Sequence, residues 1–378
     1  MIPQNRTVNI LGIRGIPAAH GGFETFAGHL APYLTEKGWH VNVYCQLDPN
    51  SDGSPQNDFE DDWNGIRRIH LATKSTGSRG SIEFDWRCVK DAAKRPGVDL
   101  VLGYNTAIFT ILLRLHGKTV VMNMDGVEWR RDKWSLPVKL WFYLNEFFGS
   151  HIANVPVADH PEIAKHLRRH GRSVFNVIPY GSHALFEADA GPLANVGVTS
   201  NDYFISIARI EPENSILEIV RSFSGQRRSA KLLVLGRLDD ENEFHRSVRA
   251  AASDQVVFAG AIYDPGIVAA LRVHALAYVH GHQVGGTNPS LVEALGAGSA
   301  IIAHDNKFNR WVAGPDQVYF ATENQLSLAF TQLEEGTVNA GHLRSAARQV
   351  HAQSFTLEKI NQSYEALLSR VTSKVASK

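Results

Sequence analysis

Short apolar runs, each about the length of one strand, alternate along this chain with stretches whose apolar residues recur at helical spacing. No other feature restricts the fold as much. TVNILGI (residues 7–13) is followed by Phe23, Phe26, Ala27, Leu30 and Leu34 on one helical face, and Gly38 closes that helix. HVNVYC is the next strand. VDLVLGY, KTVVMNMDG, SVFNVIPYG, YFISIARI, AKLLVLGR, QVVFAGAI, ALAYVHG and SAIIAHD continue the series, with helical stretches between most of them. Apolar strands separated by helices imply parallel sheets covered on both faces. A chain of 378 residues is too long for one ordinary core and suits two such α/β domains. Residues 184–200, ALFEADAGPLANVGVTS, have no strong period and are rich in Gly, Ala and Pro, so they read as a linker. The expected organisation is a Rossmann-like domain over 1–183 and a second over 201–352. A C-terminal helix over 353–378 packs back on the first domain.

Composition excludes several classes of partner. Lys plus Arg (38) equals Asp plus Glu (38), so no global field steers the protein toward nucleic acid. Cys45 and Cys88 lie in apolar contexts and read as buried free thiols of a reducing compartment. MIPQNRTVNILGI lacks the apolar core of a signal peptide, and no apolar run approaches the roughly 20 residues that span a bilayer. A soluble, cytoplasmic chain is expected.

Two glycine-rich junctions carry the candidate chemistry. HGGFET (residues 20–25) opens the first helix, where free amides and the positive dipole end can meet an anion that Gly21 and Gly22 let approach. A tight turn needing positive φ explains the same pair equally well. It is not the G-x-G-x-x-G dinucleotide fingerprint, and VYCQLDPN lacks that fold's acid at the end of the second strand, so a dehydrogenase matches poorly. In the second half, YVHGHQVGGTNPSLVEALGAGSAIIAHD runs from strand through a Gly-rich loop to a helix, with Asn288 as N-cap and Pro289 as first helical residue. The amides around Thr287 to Ser290 then point back into the loop. Glu293 lies about one turn inside, where it is either an acceptor for sugar hydroxyls or a solvated helix-face acid.

GGFETFAGHLAPYLTEKGWHVNVY and GGTNPSLVEALGAGSAIIA resemble the two signature regions of retaining glycosyltransferases of the GT-B fold, glycosyltransferase family 4. GIRGIPAAHGGFETF, NMDGVEWRRDKW, ARIEPEN and GGTNPSLVEAL are similar to a bacterial subgroup of rhamnosyltransferase-like enzymes that build surface polysaccharides. The likeness runs along nearly the whole chain, with four motifs in order. It implies two Rossmann-like domains with parallel sheets facing across a cleft. It implies that the Gly21–Gly22 loop faces the donor phosphates and the acceptor, and that Arg209 holds the diphosphate. Glu293 would bind the nucleotide's ribose, and amides near Thr287 and Asn288 would complete the cradle with Gly286, Pro289 and Ser290. Two positions depart from the family pattern. Gly285 stands where a sugar-orienting acid is usual, which fits a 6-deoxy sugar such as L-rhamnose from a dTDP donor. Asn214 stands where a lysine usually follows the arginine.

The family's chemistry needs no metal, and no cofactor is expected. No Asp-x-Asp sits in a convincing strand-end loop, RLDDENEF reads as an exposed acidic turn, and His280 and His282 have no third ligand in sight. Helix dipoles and basic residues take the metal's part at the departing diphosphate. Asp125 follows an apolar strand and is the candidate base or acceptor-orienting group, with Glu128 beside it; the alternative is an Asp-Gly turn. Asn105 also ends a strand, where a turn cap explains it equally well, and Glu24 joins the acceptor side. Residues 128–148 mix Arg130, Arg131, Lys133 and Lys139 with Trp129, Trp134, Trp141, Phe142 and Tyr143, and KHLRRHGR adds cations. That pattern marks either a core helix with a basic edge or an interfacial contact. The resemblance implies the latter: a lipid-linked saccharide acceptor at the inner membrane. A non-catalytic sugar-nucleotide binder, prompted by Gly285, would bind without turnover.

Overall fold

The computed structural model describes residues 6–17, 21–131, 134–172 and 174–376, with side chains to residue 373. It divides into two compact units, residues 1–179 with 358–378, and residues 180–357.

In the first unit, strands β1 (Thr7–Leu11), β2 (His40–Leu47), β3 (Phe59–Trp63), β4 (Ile66–Ala72), β5 (Val98–Leu102), β6 (Val120–Asn123), β7 (Val155–Ala158) and β8 (Asn176–Val177) form one sheet in the order β3-β4-β2-β1-β5-β6-β7-β8. Every pairing is parallel except β3 with β4, a hairpin turned by Asn64 (φ 54°) and Gly65 (φ 79°). All five residues of β1 and of β5 are buried, as covered parallel strands require. Helices α1 (Gly22–Glu36), α2 (Gly77–Ala92), α3 (Ile111–Leu115), α4 (Leu136–Ile152) and α5 (Pro161–Leu167) connect the strands.

The second unit has strands β9 (Tyr203–Ile207), β10 (Lys231–Leu235), β11 (Val256–Gly260), β12 (Ala277–His280), β13 (Ile301–His304) and β14 (Val318–Phe320), all parallel in the order β11-β10-β9-β12-β13-β14. Its helices are α6 (Ile216–Ser224), α7 (Glu243–Ala250), α8 (Pro265–Val273), α9 (Pro289–Gly296), α10 (Lys307–Ala313), α11 (Glu323–Glu334) and α12 (Ala340–Ser354). Alternate strand residues serve opposite faces. Phe204, Leu232 and Val234 pack with Phe223 and Phe330 on one side, while Tyr203, Ile205, Leu233 and Leu235 pack with Leu291 and Val312 on the other.

The segment over 184–200 differs from the expected linker. Leu193 and Val198 are buried in the second unit's core, and Leu185 N–H donates to the Gly296 carbonyl at 2.8 Å. The weak period misled because the segment is held by scattered single anchors. Two passages of chain join the units, one at 179/180 and one at 357/358. After the second passage α13 (Leu357–Ala376) returns to the first unit. There Tyr364 packs on Phe26 with ring centroids 4.8 Å apart, and its hydroxyl accepts from Asn123 Nδ2 at 2.8 Å.

β1 and β5 also meet through glycine. Gly12 has φ +85°, and a β-carbon there would lie 2.2 Å from the Leu102 carbonyl oxygen. Left-handed strain of ~1–2 kcal/mol adds to an overlap with rigid main chain. Gly12→Ala is expected to destabilise the protein by about 3 kcal/mol and to lower the melting temperature by roughly 5–10 °C, read by circular dichroism. An unchanged melt would mean that the two strand ends tolerate a wider spacing.

Candidate functional site

Open parallel sheets place ligands at the carboxyl ends of strands where the strand order reverses. In the second unit that point lies between β9 and β12, and the predicted donor residues collect there. Arg209 follows β9 by two residues; its side chain is 60 % exposed and ion-pairs with Glu211 at 3.3 Å. The loop behind it is tightly held. Asn214 Nδ2 donates to the Arg209 carbonyl at 2.8 Å, Ser215 Oγ donates to the Gly281 carbonyl at 2.7 Å, and Gln283 N–H donates to the Glu213 carbonyl at 2.9 Å. Gly281 permits this approach, since a β-carbon there would meet the Asn214 carbonyl oxygen at 2.2 Å. Asn214 is buried, so its amide braces the Arg209 loop.

The loop from Gly281 leads into α9. Gly285 has φ +128°, a conformation that L side chains rarely adopt, with His282 Nε2 3.4 Å from where a β-carbon would sit. Gly286 is half-buried and Thr287 buried. Asn288 Oδ1 accepts from Ser290 N–H at 2.9 Å, and Pro289 opens the helix. The Ser290 hydroxyl is 2.7 Å from that of Tyr278, whose burial pushes its pKa up to about 12. Glu293 is half-exposed and ion-pairs through Oε2 with buried Arg272 at 2.5 Å; the same guanidinium nitrogen donates to Ser290 Oγ at 3.1 Å. Arg272 is the residue that sequence reasoning missed, because it sits inside α8 with no motif around it. Burial, and then His282 and His304, hold the His280 imidazole well below its ordinary pKa, hence neutral.

In the first unit the reversal lies between β1 and β5. A cavity of about 90 Å³ opens there, lined by Gly12, Phe23, Asp85, Gly103, Asn105 and Thr106 among others. Gly21 has φ +105°, and Glu24 curls back beneath it. Glu24 Oε1 accepts from Arg14 N–H at 3.1 Å, and Oε2 stands 2.1 Å from where a Gly21 β-carbon would be. The tight-turn reading of the glycine pair is seen directly at Gly21. The turn needs positive φ, and Gly21 and Gly22 are exposed where α1 opens. Asn105 is exposed, and its carbonyl accepts from Trp141 Nε1 at 2.8 Å.

Asp125 is half-buried two residues beyond β6, followed by Gly126 at φ +70°. The next turn is pinned from behind. Tyr104 hydroxyl accepts from Glu128 N–H at 2.9 Å, and burial followed by the Glu146 charge raises that phenol's pKa. Glu128 ion-pairs with Arg131 at 3.2 Å and accepts from Trp134 Nε1 at 3.4 Å. Trp129 Nε1 donates to Glu146 Oε2 at 3.1 Å, while exposed Arg130 lies over its ring. Two of the three expected interfacial indoles, Trp129 and Trp134, thus serve carboxylates, Trp141 stays exposed, and Lys133 lies outside the described residues. Exposed apolar side chains of α4 are Trp141 and the stripe Leu136, Leu140, Tyr143, Leu144 and Phe147. Exposed Arg168 and Arg169 belong to the turn that follows α5.

Residues 196–350 match the family model described as glycosyl transferases group 1. That match lies within the second unit. Residues 5–183 match a domain of unknown function, DUF1972. Among solved structures the chain is similar to sucrose-phosphate synthase from Thermosynechococcus elongatus, at 16% identity over 98% of this chain and 100% of that one, TM-score 0.82. It is also similar to Anabaena HepE in complex with UDP, at 13% identity over 97% and 100%, TM-score 0.73. A UDP-forming α,α-trehalose-phosphate synthase from Burkholderia xenovorans, in complex with glucose-6-phosphate, follows at 12% identity over 96% and 100%, TM-score 0.70. No curated protein matches the chain in sequence. At these identities the likeness shows the fold, which is GT-B: α/β, with two parallel-sheet units. Domain match and fold together support a glycosyltransferase.

Asp85 supplies a pH test of the first unit's cavity. Burial pushes its carboxyl up to about 6, opposed by a hydrogen bond from the Thr106 hydroxyl at 2.8 Å. A carboxyl whose pKa is raised on folding makes the folded state bind the extra proton, so stability falls as pH rises from about 4 to about 6 and stays lowered above. Asp85→Asn keeps an acceptor for Thr106 and removes the ionisation. The variant is expected to match the wild type near pH 4 and to exceed it by up to about 3 kcal/mol at pH 8, measured by denaturant unfolding. A constant difference across that range would refute the assigned ionisation.

Proposed function

We propose that this protein is a retaining glycosyltransferase that moves L-rhamnose from dTDP-β-L-rhamnose onto a lipid-linked or oligosaccharide acceptor in bacterial surface-polysaccharide synthesis. The single observation that carries the reading is the meeting of exposed Arg209 and the start of α9 at the strand reversal of a group 1 domain. UDP complexes of similarly folded proteins support a nucleoside-diphosphate sugar as the ligand class. Arg209 and the α9 amides neutralise the diphosphate by charge and by the helix dipole. Glu293, held by Arg272, accepts from the nucleotide's sugar hydroxyl. The missing carboxylate at Gly285 leaves a less polar sugar pocket, as a 6-deoxy sugar requires.

In the proposed step the bond between the sugar's anomeric carbon and the diphosphate oxygen breaks. The acceptor oxygen bonds to the same face of that carbon, and its proton passes to the leaving phosphate, giving dTDP and the glycoside. Asp125 orients the acceptor hydroxyl or assists the proton's removal. The first unit provides the acceptor side. The apolar stripe of α4, with Arg168 and Arg169 exposed nearby in sequence, supports a peripheral contact with the cytoplasmic face of an anionic inner membrane.

A panel of nucleotide sugars offered with a lipid-linked acceptor, read by product mass and anomeric NMR coupling, tests the reading. Efficient transfer from UDP-glucose or GDP-mannose without a rhamnose product overturns the sugar, and an inverted anomer overturns the mechanism. Binding with no turnover on any donor would leave only a sugar-nucleotide binding protein. Arg209→Ala should lose about 30- to 1000-fold in turnover, roughly 2–4 kcal/mol of transition-state stabilisation, with an unchanged melting temperature. Near wild-type rates in the folded variant would remove Arg209 from the diphosphate.

The transfer itself is proposed to need no metal. Initial rates of EDTA-treated enzyme should not rise on adding magnesium or manganese. A rate restored by magnesium, which oxygen ligands and not imidazoles hold, would place a cation at the diphosphate instead.

A further inference from the structure

Away from both strand reversals, α4 and the helical segment beginning with α5 bring three metal-ligating side chains to one point. Glu146 is fully buried, and its Oε1 lies 2.8 Å from His166 Nε2 and 2.7 Å from His170 Nε2. The three ligand atoms lie within 4.8 Å of one another. The histidines stand four apart, on α5 and on the 3-10 turn Arg168–His170 that extends it, so successive turns present both rings to one side. Glu146 Oε2 is separately engaged, by Trp129 Nε1 at 3.1 Å and by the Tyr104 hydroxyl at 3.5 Å. One oxygen directed at two imidazoles, with the other fixed by outer hydrogen bonds, is how proteins orient a ligating carboxylate.

Charge points the same way. A buried carboxylate is strongly disfavoured unless a cation or good hydrogen bonds compensate it. Among the described residues no arginine or lysine pairs with Glu146; its ion-pair partners are the two histidines. Trp129 and Tyr104 supply hydrogen bonds to Oε2, so Oε1 is left to the two Nε2 atoms, which either donate to it or join it as ligands of a metal ion.

We propose that Glu146, His166 and His170 bind one divalent transition-metal ion of the zinc class, through Glu146 Oε1 and the two Nε2 atoms, with water in a fourth position. Tetrahedral bonds of about 2.0–2.1 Å set ligand atoms about 3.3 Å apart, so the two carboxylate–imidazole spacings would each open by roughly half an ångström. Two imidazoles and one carboxylate select zinc or cobalt over magnesium and calcium. The ion fixes Glu146, and through Trp129 and Tyr104 it stiffens the turn at residues 128–130 behind Asp125. It acts by positioning and does not touch the transferred sugar, so the inference stands independently of the donor assignment.

The test uses the full chain, stripped with EDTA and titrated with cobalt and zinc. Elemental analysis should find one tightly bound zinc per chain. Cobalt should give visible absorption of tetrahedral type that zinc abolishes, and zinc should raise the melting temperature. The chain holds 17 histidines, so the decisive comparison is the double variant His166→Gln/His170→Gln, which keeps polar groups at both positions. It should lose the bound equivalent, with affinity down about 100-fold or more. Wild-type protein that binds no zinc at micromolar concentration overturns the proposal, and so does a folded double variant that keeps its equivalent. If the double variant does not fold, His170→Gln alone decides: a tenfold or larger loss supports the site, and unchanged affinity overturns it.

Discussion

Both sheets depend on one constraint. A parallel strand surrounded by others must be apolar on both faces, so polar chemistry is driven to the strand ends. Every residue of β1 and the first four of β9 are buried, and the polar exception in mid-β1, Asn9, is satisfied by donating to Asp99 and accepting from Asn42. β1 and β9 are also the strands beside which their sheets reverse direction. Where the connections diverge, the carboxyl ends stay uncovered, and main-chain amides and short loops are left facing open space. Arg209, the Gly281–Asn288 loop, Gly12, Gly103 and Asn105 all sit at such ends. The candidate residues are dispersed in sequence because the sheet order that gathers them is itself non-sequential.

This also accounts for what could be read in advance. Strands buried on both faces have an unbroken apolar signature, and most are legible as short runs; β7, interrupted by Pro156, and β14, three residues long, are not. The hairpin of β3 and β4 escaped because one of its strands, FEDDW, is largely exposed and acidic, although Asn64-Gly65 is a strong turn signal. The helix start at Asn288-Pro289 is local chemistry and stands as expected. Side-chain partnerships are another matter. That Glu293 leans on Arg272, that Asn214 props up the Arg209 main chain, and that Trp129 and Trp134 turn toward carboxylates are facts of tertiary packing. No periodicity encodes them. The histidine spacing in HLRRH was visible, but its third member came from another helix.

Gly285 shows how backbone and pocket chemistry are bound together. Its φ of +128° is nearly closed to an L side chain. An acid at that position would need a different loop path from Gly281 to Asn288, and that path is set by the contacts of Gly281 and Gln283 with the Arg209 loop. The absence of a carboxylate here is therefore a property of the whole loop.

The two crossings of the chain have a consequence for the order in which the protein can be made. In chain order the second unit is an insertion within the first, so a ribosome completes residues 180–357 before it delivers α13. Until then Phe26 and the amide of Asn123 lack the tyrosine that covers them, and Ile360, Leu367 and Leu368 have not entered the core. The unit synthesised first is thus the one finished last. During synthesis it must wait with an open seam while its neighbour, continuous in sequence, is free to fold on its own.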